Sequence, residues 1–229
     1  MNRVIFVSGW AGFPALFPGL GGDFYLPFAP HGEEDIALAV ARAARAGQSA
    51  RSGRSEQSGQ SGRSGRSGNE AILIGWSTGA HILLKRCQEF FPRFATVLLL
   101  APFTCFTDHV PASEIQALAA NLARSPAAAL RGFYRRCGVT GNVSGAHAAP
   151  SPEALAASVP GLLAGLDYLA GSKALVADLP GNVVLAHGAD DRIVPLAASR
   201  ELAASGRARL AVVPGGHYFQ PELVHELLA

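Results

Sequence analysis

The chain has 229 residues, of which 49% are hydrophobic, so it can bury the core of one domain or of a domain with an insertion. Its formal net charge is only +2, and four of its arginines lie in one Ser/Gly/Arg-rich stretch, which leaves no large basic surface for nucleic acid. The three widely spaced cysteines form neither a disulfide framework nor a metal motif, and no apolar run is long enough to span a membrane. We therefore expect a cytoplasmic protein without a metal or membrane partner.

Continuously apolar runs predict strands that are buried on both faces of a sheet. In chain order these runs lie at residues 4–7, 24–28 (a short one), 71–75, 95–101, 183–186 and 210–213. Helical patterns lie between and after them, at residues 33–46, 79–91, 196–204 and 221–228. This alternation predicts an α/β fold whose sheet is mostly parallel and is flanked by helices.

Two stretches interrupt the alternation. Residues 48–68 repeat Ser, Gly and Arg and lack large apolar side chains, which predicts a flexible loop. A phosphate-binding or regulatory arm is the functional alternative for this stretch. Residues 103–169 are rich in Ala and Leu and are interrupted by prolines, which predicts several short helices that form a lid. Residues 1–102 and 170–229 would then form the α/β core.

A candidate nucleophile follows the predicted strand at residues 71–75. Ser77 lies between Gly75 and Gly79 and precedes a predicted helix, an arrangement typical of the nucleophile elbow. Glycine is expected on both sides because the turn is so tight that side chains at these two positions would collide. A serine in an ordinary tight turn remains the structural alternative.

A serine hydroxyl needs a general base that is oriented by a carboxylate. Asp190 and Asp191 follow the predicted strand at 183–186, and His217 lies in a Gly-rich loop after the next predicted strand. In a parallel sheet these loops and Ser77 meet at the carboxyl edge of the strands. His217 is therefore the candidate base. The pattern Gly-x-x-Asp-x-x-x-Pro favours Asp191 for the carboxylate, with Asp190 as the alternative.

The oxyanion that forms when an acyl group is attacked needs backbone N–H donors. Thr78, the residue after the candidate nucleophile, is expected to supply one, and we select Trp10 in the loop after the first strand for the other. The Trp10 indole fits a pocket wall or the core equally well.

The remaining histidines lack the placement of His217 in a loop after a strand. Among them, His187 is expected to be packed or hydrogen-bonded and His225 to be exposed.

The order of these residues is similar to that of the α/β-hydrolase superfamily over nearly the whole chain. Three features resemble the pimeloyl-[acyl-carrier protein] methyl ester esterases of biotin synthesis: "SGWAG" after the first strand, "IGWSTG" at the elbow, and a lid that opens with "APFTCF" and carries "LRGFYRRCG". The resemblance implies an α/β-hydrolase fold with a helical lid, no cofactor, a catalytic triad of Ser77, Asp191 and His217, and an oxyanion hole at Trp10 and Thr78.

The resemblance also implies a substrate, the methyl ester of a pimeloyl group on acyl-carrier protein. Basic lid residues would receive the acidic carrier, and aromatic lid residues would line the acyl tunnel. The candidates in this chain are Arg131, Arg135 and Arg136 for the carrier, and Phe103, Phe106, Phe133 and Tyr134 for the tunnel. A solvated lid face and packing of the lid are the respective structural alternatives. A general short-chain carboxylesterase or thioesterase, and a binding protein of this fold without turnover, remain alternative functions.

Overall fold

The computed structural model describes residues 3–28, 31–55, 71–139 and 150–229. The strands are β1 (Val4–Val7), β2 (Asp23–Tyr25), β3 (Ile72–Trp76), β4 (Thr96–Leu100), β5 (Val183–Gly188) and β6 (Arg209–Val213). The α-helices are α1 (Glu33–Ser55), α2 (Thr78–Leu84), α3 (Cys87–Phe90), α4 (Ala112–Arg124), α5 (Pro126–Cys137), α6 (Pro152–Gly171), α7 (Leu196–Ala204) and α8 (Pro221–Leu228). Short 3₁₀ turns lie at Pro14–Leu16, Phe91–Arg93 and Phe106–Asp108.

The six strands form one sheet in the order β2-β1-β3-β4-β5-β6, and every neighbouring pair is parallel. The carboxyl ends of the strands therefore lie along the same edge of the sheet, where ligand sites of open α/β sheets are found. Helices cover both faces, which confirms the predicted fold class.

The continuously apolar strands supply two separate cores, because successive side chains of a strand point to opposite faces. One core holds Phe6, Ile74, Leu98 and Ala186 together with apolar residues of α4, α5, α6 and α8. The other holds Ile5, Leu73, Val97 and Leu185 together with apolar residues of α1, α2 and α3. This two-sided burial explains why the strands do not show a polar–apolar alternation.

Helix α1 is longer than the sequence predicts. It ends at Ser55 rather than near residue 46, so the first part of the stretch predicted as a flexible loop, residues 48–55, is helical. Gln48, Ala50 and Arg51 are good helix formers, and extending an existing helix costs less than nucleating one. Residues 56–68 of the predicted loop lie outside the described residues.

The described part of the segment between β4 and β5, residues 101–139 and 150–182, contains three α-helices, α4, α5 and α6, which we call the lid helices. The expectation of several short helices is wrong for α6, a single helix of 20 residues that contains Pro160. Pro160 is exposed, while Leu155 and Leu162 on either side of it are buried and hold the helix against the core. Pro126 and Pro152 begin helices instead of breaking them, as proline does in a first helical turn.

By length and composition alone, α6 is long and apolar enough to cross a membrane, contrary to the sequence-based expectation. The structure uses its apolar side chains differently. Leu155, Leu162, Leu166 and Leu169 belong to the same buried core as β3 and β4. The buried residues form one stripe along α6, and the rest of the helix is half-buried or exposed.

Candidate active site

Ser77 lies in a strained turn between β3 and α2. Its φ of 53° is positive, which a residue with a side chain seldom adopts outside functional sites. Side chains at the two flanking glycines would collide with neighbouring backbone, as expected. A Cβ atom on Gly75 would lie 2.8 Å from the Ala80 Cα atom, and one on Gly79 would lie 2.1 Å from the Val7 carbonyl oxygen. Each glycine therefore permits close packing against α2 or β1.

Ser77, His217 and Asp191 form one hydrogen-bonded chain. The Ser77 Oγ atom is 2.8 Å from His217 Nε2, and His217 Nδ1 is 2.7 Å from Asp191 Oδ2. A carboxylate only accepts hydrogen bonds, so Nδ1 carries the proton and Nε2 is free to accept from the Ser77 hydroxyl. This is the arrangement that serine activation requires.

Asp191, and not Asp190, contacts His217. The second oxygen of Asp191, Oδ1, accepts hydrogen bonds from the amides of Ile193 and Val194, at 2.8 and 3.0 Å. Asp190 is exposed, and its amide donates to the Gly215 carbonyl. The tight turn at the end of β5 therefore directs only the second aspartate into the site.

The Asp191 side chain has no exposed surface. Burial by itself raises the pKa of this carboxyl group, but the charge of His217 and hydrogen bonds from His187, His217 and the Ile193 amide outweigh burial and hold the pKa well below its usual range. Asp191 is therefore ionised at neutral pH. It can hold the His217 ring in one orientation and stabilise the imidazolium that forms when Ser77 loses its proton.

A second buried histidine contacts the same carboxylate. The Nε2 atom of His187 lies 3.3 Å from Asp191 Oδ2 and 2.9 Å from the Val194 carbonyl oxygen, and its Nδ1 atom lies 2.7 Å from Ser199 Oγ. Both partners of Nε2 are acceptors, so Nε2 donates and Nδ1 accepts from the Ser199 hydroxyl. His187 is packed and hydrogen-bonded, as expected, but its contact with Asp191 was not predicted from the sequence. The spacing of four residues at the end of a strand was the available signal.

Trp10 lies beside the elbow. Its main-chain N–H donates to Thr78 Oγ1 at 3.3 Å, and its indole N–H donates to the Leu162 carbonyl in α6 at 2.7 Å. The ring also makes an edge contact with Phe133, with ring centroids 4.8 Å apart. Trp10, Thr78 and Ser77 all line one cavity, so the side chain of Trp10 is both a cavity wall and a packed core group.

This cavity is narrow, with about 40 Å³ of accessible space and an open mouth, and it lies between the sheet edge and the lid helices. Its other lining residues are Phe106, Val110, Glu114, Ile115, Leu118, Phe133, Arg136, Leu166, Leu169 and Ile193. The walls are mainly apolar, and the charged residues Arg136 and Glu114 form an ion pair of 3.3 Å. The cavity therefore suits an apolar chain whose reactive end reaches Ser77.

The aromatic residues that the sequence analysis selected divide into two pairs. Phe106 and Phe133 line the cavity, as proposed for an acyl tunnel. Phe103 is fully buried and stacks on His81, and Tyr134 is buried with its hydroxyl donating to the Ala11 carbonyl at 2.8 Å. The second pair therefore packs the lid helices onto the body, which was the structural alternative.

A sequence profile described as "Alpha/beta hydrolase family" matches residues 4–227. The chain belongs to this family. No curated protein sequence matches the chain significantly.

Solved structures of low sequence identity share the fold of this α/β-hydrolase. An esterase from Exiguobacterium antarcticum is 14% identical, with a TM-score of 0.66 over 99% of this chain and 89% of that one. A thermophilic esterase is 13% identical, with a TM-score of 0.63 over 98% and 86% of the two chains. BioG from Haemophilus influenzae is 13% identical, with a TM-score of 0.54 over 95% and 89%. At these identities the likeness concerns the fold.

A second depression of this α/β-hydrolase lies between α4 and α5, beside the cavity. We call it the basic groove, because its lining includes Arg124, Arg135 and Arg136. Arg136 lines both the groove and the cavity. Arg131, which the sequence analysis grouped with Arg135, is exposed but is not among the residues that form the groove, whereas Arg124 was missed because it comes from the neighbouring helix.

Other polar and nucleophilic groups of the hydrolase lie away from Ser77. His225 is exposed, as expected, and His81 is buried between Phe103 and Tyr168. Cys87, Cys105 and Cys137 are buried and free. Within the described ranges, no cluster of three or more His, Cys, Asp or Glu residues could hold a metal ion.

Proposed function

We propose that this α/β-hydrolase cleaves carboxylic esters with Ser77 as nucleophile, His217 as general base and acid, and Asp191 as the orienting carboxylate. The observation that carries the proposal is the unbroken hydrogen-bond chain from Ser77 through His217 to Asp191 at the wall of an apolar cavity. This hydrogen-bond chain is complete in the free enzyme, so the three side chains need no rearrangement before attack.

In the first step Ser77 Oγ attacks the ester carbonyl carbon while His217 Nε2 takes the hydroxyl proton. The negative oxygen that forms is stabilised by the main-chain N–H groups of Trp10 and Thr78. The Trp10 amide, which donates to Thr78 Oγ1 in the free enzyme, turns to the oxyanion. His217 then protonates the leaving alcohol, and an acyl group remains on Ser77.

In the second step a water molecule gives a proton to His217 and attacks the acyl carbon. The same two N–H groups stabilise the second oxyanion, and His217 returns the proton to Ser77 as the acid is released. Asp191 stays ionised throughout and stabilises the imidazolium in both steps.

The specific substrate that we propose is the methyl ester of pimeloyl-acyl-carrier protein. Its support is the motif resemblance together with the position of the basic groove beside the cavity. The apolar cavity would hold the acyl chain, and the groove would hold the acidic carrier, since guanidinium groups suit phosphate and carboxylate. A general short-chain carboxylesterase or thioesterase is the second candidate. The pairing of Arg136 with Glu114 favours it, because this pairing reduces the positive charge left for a carrier.

The deciding experiment compares kcat/KM for methyl pimeloyl-carrier protein with that for p-nitrophenyl butyrate. We expect the carrier-bound ester to be preferred and Ser77→Ala to abolish turnover of both. Arg135→Gln should lower kcat/KM for the carrier ester by roughly tenfold, since loss of an exposed charge slows association. Arg131→Gln is the matched control, because it makes the same charge change on α5 outside the groove.

Each outcome is informative. Hydrolysis by pure Ser77→Ala protein would contradict the triad, and turnover of neither ester by the wild type would contradict the ester proposal. Turnover of p-nitrophenyl butyrate alone would support the second candidate. Equal losses from Arg131→Gln and Arg135→Gln would show that the groove is not the carrier site.

A further inference from the structure

The Trp10 side chain is fixed by the lid helices. Its indole N–H donates to the Leu162 carbonyl at 2.7 Å, and its ring meets the edge of Phe133. The ring lies against Gly165 of α6, where an added Cβ atom would be 2.8 Å from Trp10 Cδ1, 3.2 Å from Phe28 Cδ2 and 3.3 Å from Trp10 Nε1. Glycine at position 165 therefore makes the space in which the indole sits.

The next residue is held by a second lid helix. The Tyr134 hydroxyl in α5 donates to the Ala11 carbonyl at 2.8 Å, and Ala11 has a positive φ of 55°. A non-glycine residue keeps such a conformation only where its surroundings enforce it. Helices α5 and α6 thus hold two successive residues of the loop after β1 through separate hydrogen bonds.

We propose that Gly165, Leu162 and Tyr134 are positioning residues that fix the loop after β1, so that the main-chain N–H of Trp10, which donates to Thr78 Oγ1 in the free enzyme, can reach the oxyanion. This inference rests on the proposed function, in which that N–H is one of two oxyanion donors. An oxyanion donor acts within a narrow range of distance, so a displacement of a few tenths of an ångström at the indole matters for the rate. The lid helices would then contribute to the chemical step as well as to covering the site.

The same helix also forms the acyl side of the cavity. Leu166 and Leu169 of α6 line the cavity, within a turn or two of Gly165 and Leu162. An acyl chain that fills the cavity therefore presses on the helix that anchors Trp10. It follows that acyl chains of poor fit should be discriminated through kcat and not only through KM.

The direct test is Gly165→Ala with p-nitrophenyl butyrate as substrate. The added methyl group displaces the indole, and we expect kcat to fall by about ten- to a hundredfold with KM nearly unchanged, which is less than the loss expected for removing an oxyanion donor completely. Gly171→Ala is the matched control. It places the same methyl group at the end of α6, where no atom lies within 4 Å of the added Cβ, and kcat should stay at the wild-type value.

A double-mutant cycle shows whether the effect passes through the indole. Trp10→Leu alone should lower kcat, because it removes the bond to Leu162. In that background Gly165→Ala should cause a much smaller further loss, because no indole remains to be displaced and only the 3.2 Å contact with Phe28 Cδ2 is left. If Gly165→Ala lowered kcat equally with Trp10 and with Leu at position 10, the proposal would be wrong.

The two levels of inference fail in different ways. A wild-type protein that neither hydrolyses esters nor is labelled at Ser77 by a fluorophosphonate would contradict the proposed function. An active wild type with equal kcat in Gly165→Ala and Gly171→Ala would contradict only the positioning role. If Gly165→Ala does not fold, Tyr134→Phe gives the answer. It removes one hydroxyl and keeps the ring, and it should lower kcat by roughly tenfold at constant KM; unchanged kcat would contradict the proposal.

Discussion

Asp191 shows how much of the site depends on single hydrogen bonds. Its Oδ1 atom is saturated by two backbone amides, so Oδ2 must face His217 and His187. The carboxylate cannot rotate without leaving a buried amide unpaired, which costs about 1–3 kcal/mol per group. The orientation of His217 is therefore determined by the turn after β5.

At the residue scale we predict opposite results for the two neighbouring aspartates. Asp191→Asn places an amide opposite His217 Nδ1, which favours the wrong tautomer of the imidazole, and kcat should fall by about four orders of magnitude. Asp190→Asn changes an exposed side chain and should leave kcat within about twofold. Steady-state kinetics on an activated ester measure both. Comparable losses in the two variants would contradict the assignment.

Most residues of the triad chain could be placed from sequence, because each follows a strand of a parallel sheet and so reaches the same edge. The contact between His187 and Asp191 could not, since it depends on the turn geometry at the end of β5 and on Ser199 in α7. The pairing of Arg136 with Glu114 was missed for a related reason. The two side chains come from different lid helices, whose mutual packing no local pattern specifies.

At the scale of an element, the elbow between β3 and α2 is tightly packed against its neighbours. Helix α2 approaches β1 so closely that position 79 has no room for a side chain. A Cβ atom added there would lie 2.1 Å from the Val7 carbonyl oxygen and 2.4 Å from the Ser8 carbonyl oxygen. These are backbone atoms of a central strand and its following loop. They cannot shift without moving the sheet.

We therefore predict that Gly79→Ala lowers the free energy of unfolding by about 1–3 kcal/mol, which is the typical effect of overpacking a core. Gly132→Ala is the control. Position 132 lies inside helix α5 with no atom within 4 Å of an added Cβ, so alanine there should stabilise the protein by about 0.5–1 kcal/mol. Urea unfolding of both variants measures the difference. A Gly79→Ala variant as stable as the wild type would show that the elbow can relax.

The strands were predictable within a few residues, because apolar runs of this length between turn residues are too short for most helices and are typical of buried strands. The ends and continuity of helices were not. Helix α1 continues to Ser55 because the residues after position 46 include good helix formers, and α6 passes through Pro160 because its buried leucines hold it against the core. A proline inside a helix costs about 3 kcal/mol, and each fully buried leucine contributes about 1.5–3 kcal/mol, so several leucines outweigh one proline.

At the scale of the whole molecule, the stability depends on pH through His81. This histidine is fully buried, stacks on Phe103, and bonds to the Phe103 carbonyl and the Ser172 hydroxyl. Burial lowers its pKa from 6.5 to about 4. The unfolded chain therefore binds a proton near pH 6.5 that the folded protein does not accept until about pH 4.

This difference in proton binding makes the folded protein less stable at low pH. Between pH 6.5 and 4 the unfolded state holds more protons, so stability falls as the pH is lowered, by about 3 kcal/mol across the window for this one group. We predict that His81→Gln, which keeps a polar group but does not titrate, reduces the slope of unfolding free energy against pH in that range. Urea unfolding at a series of pH values measures it. Identical slopes for variant and wild type would exclude His81 as the cause.

The parallel sheet also has a consequence for how the molecule assembles in time. No two neighbouring strands can pair as a local hairpin, and β4 and β5 can pair only after the three lid helices between them have been brought round. Long loops must close, with a loss of conformational entropy, before the strand contacts that offset this loss can form. Folding is therefore expected to be slow. Ser77 and His217 are separated by 140 residues of sequence. During synthesis the two side chains therefore cannot meet until β6 and the loop after it have left the ribosome.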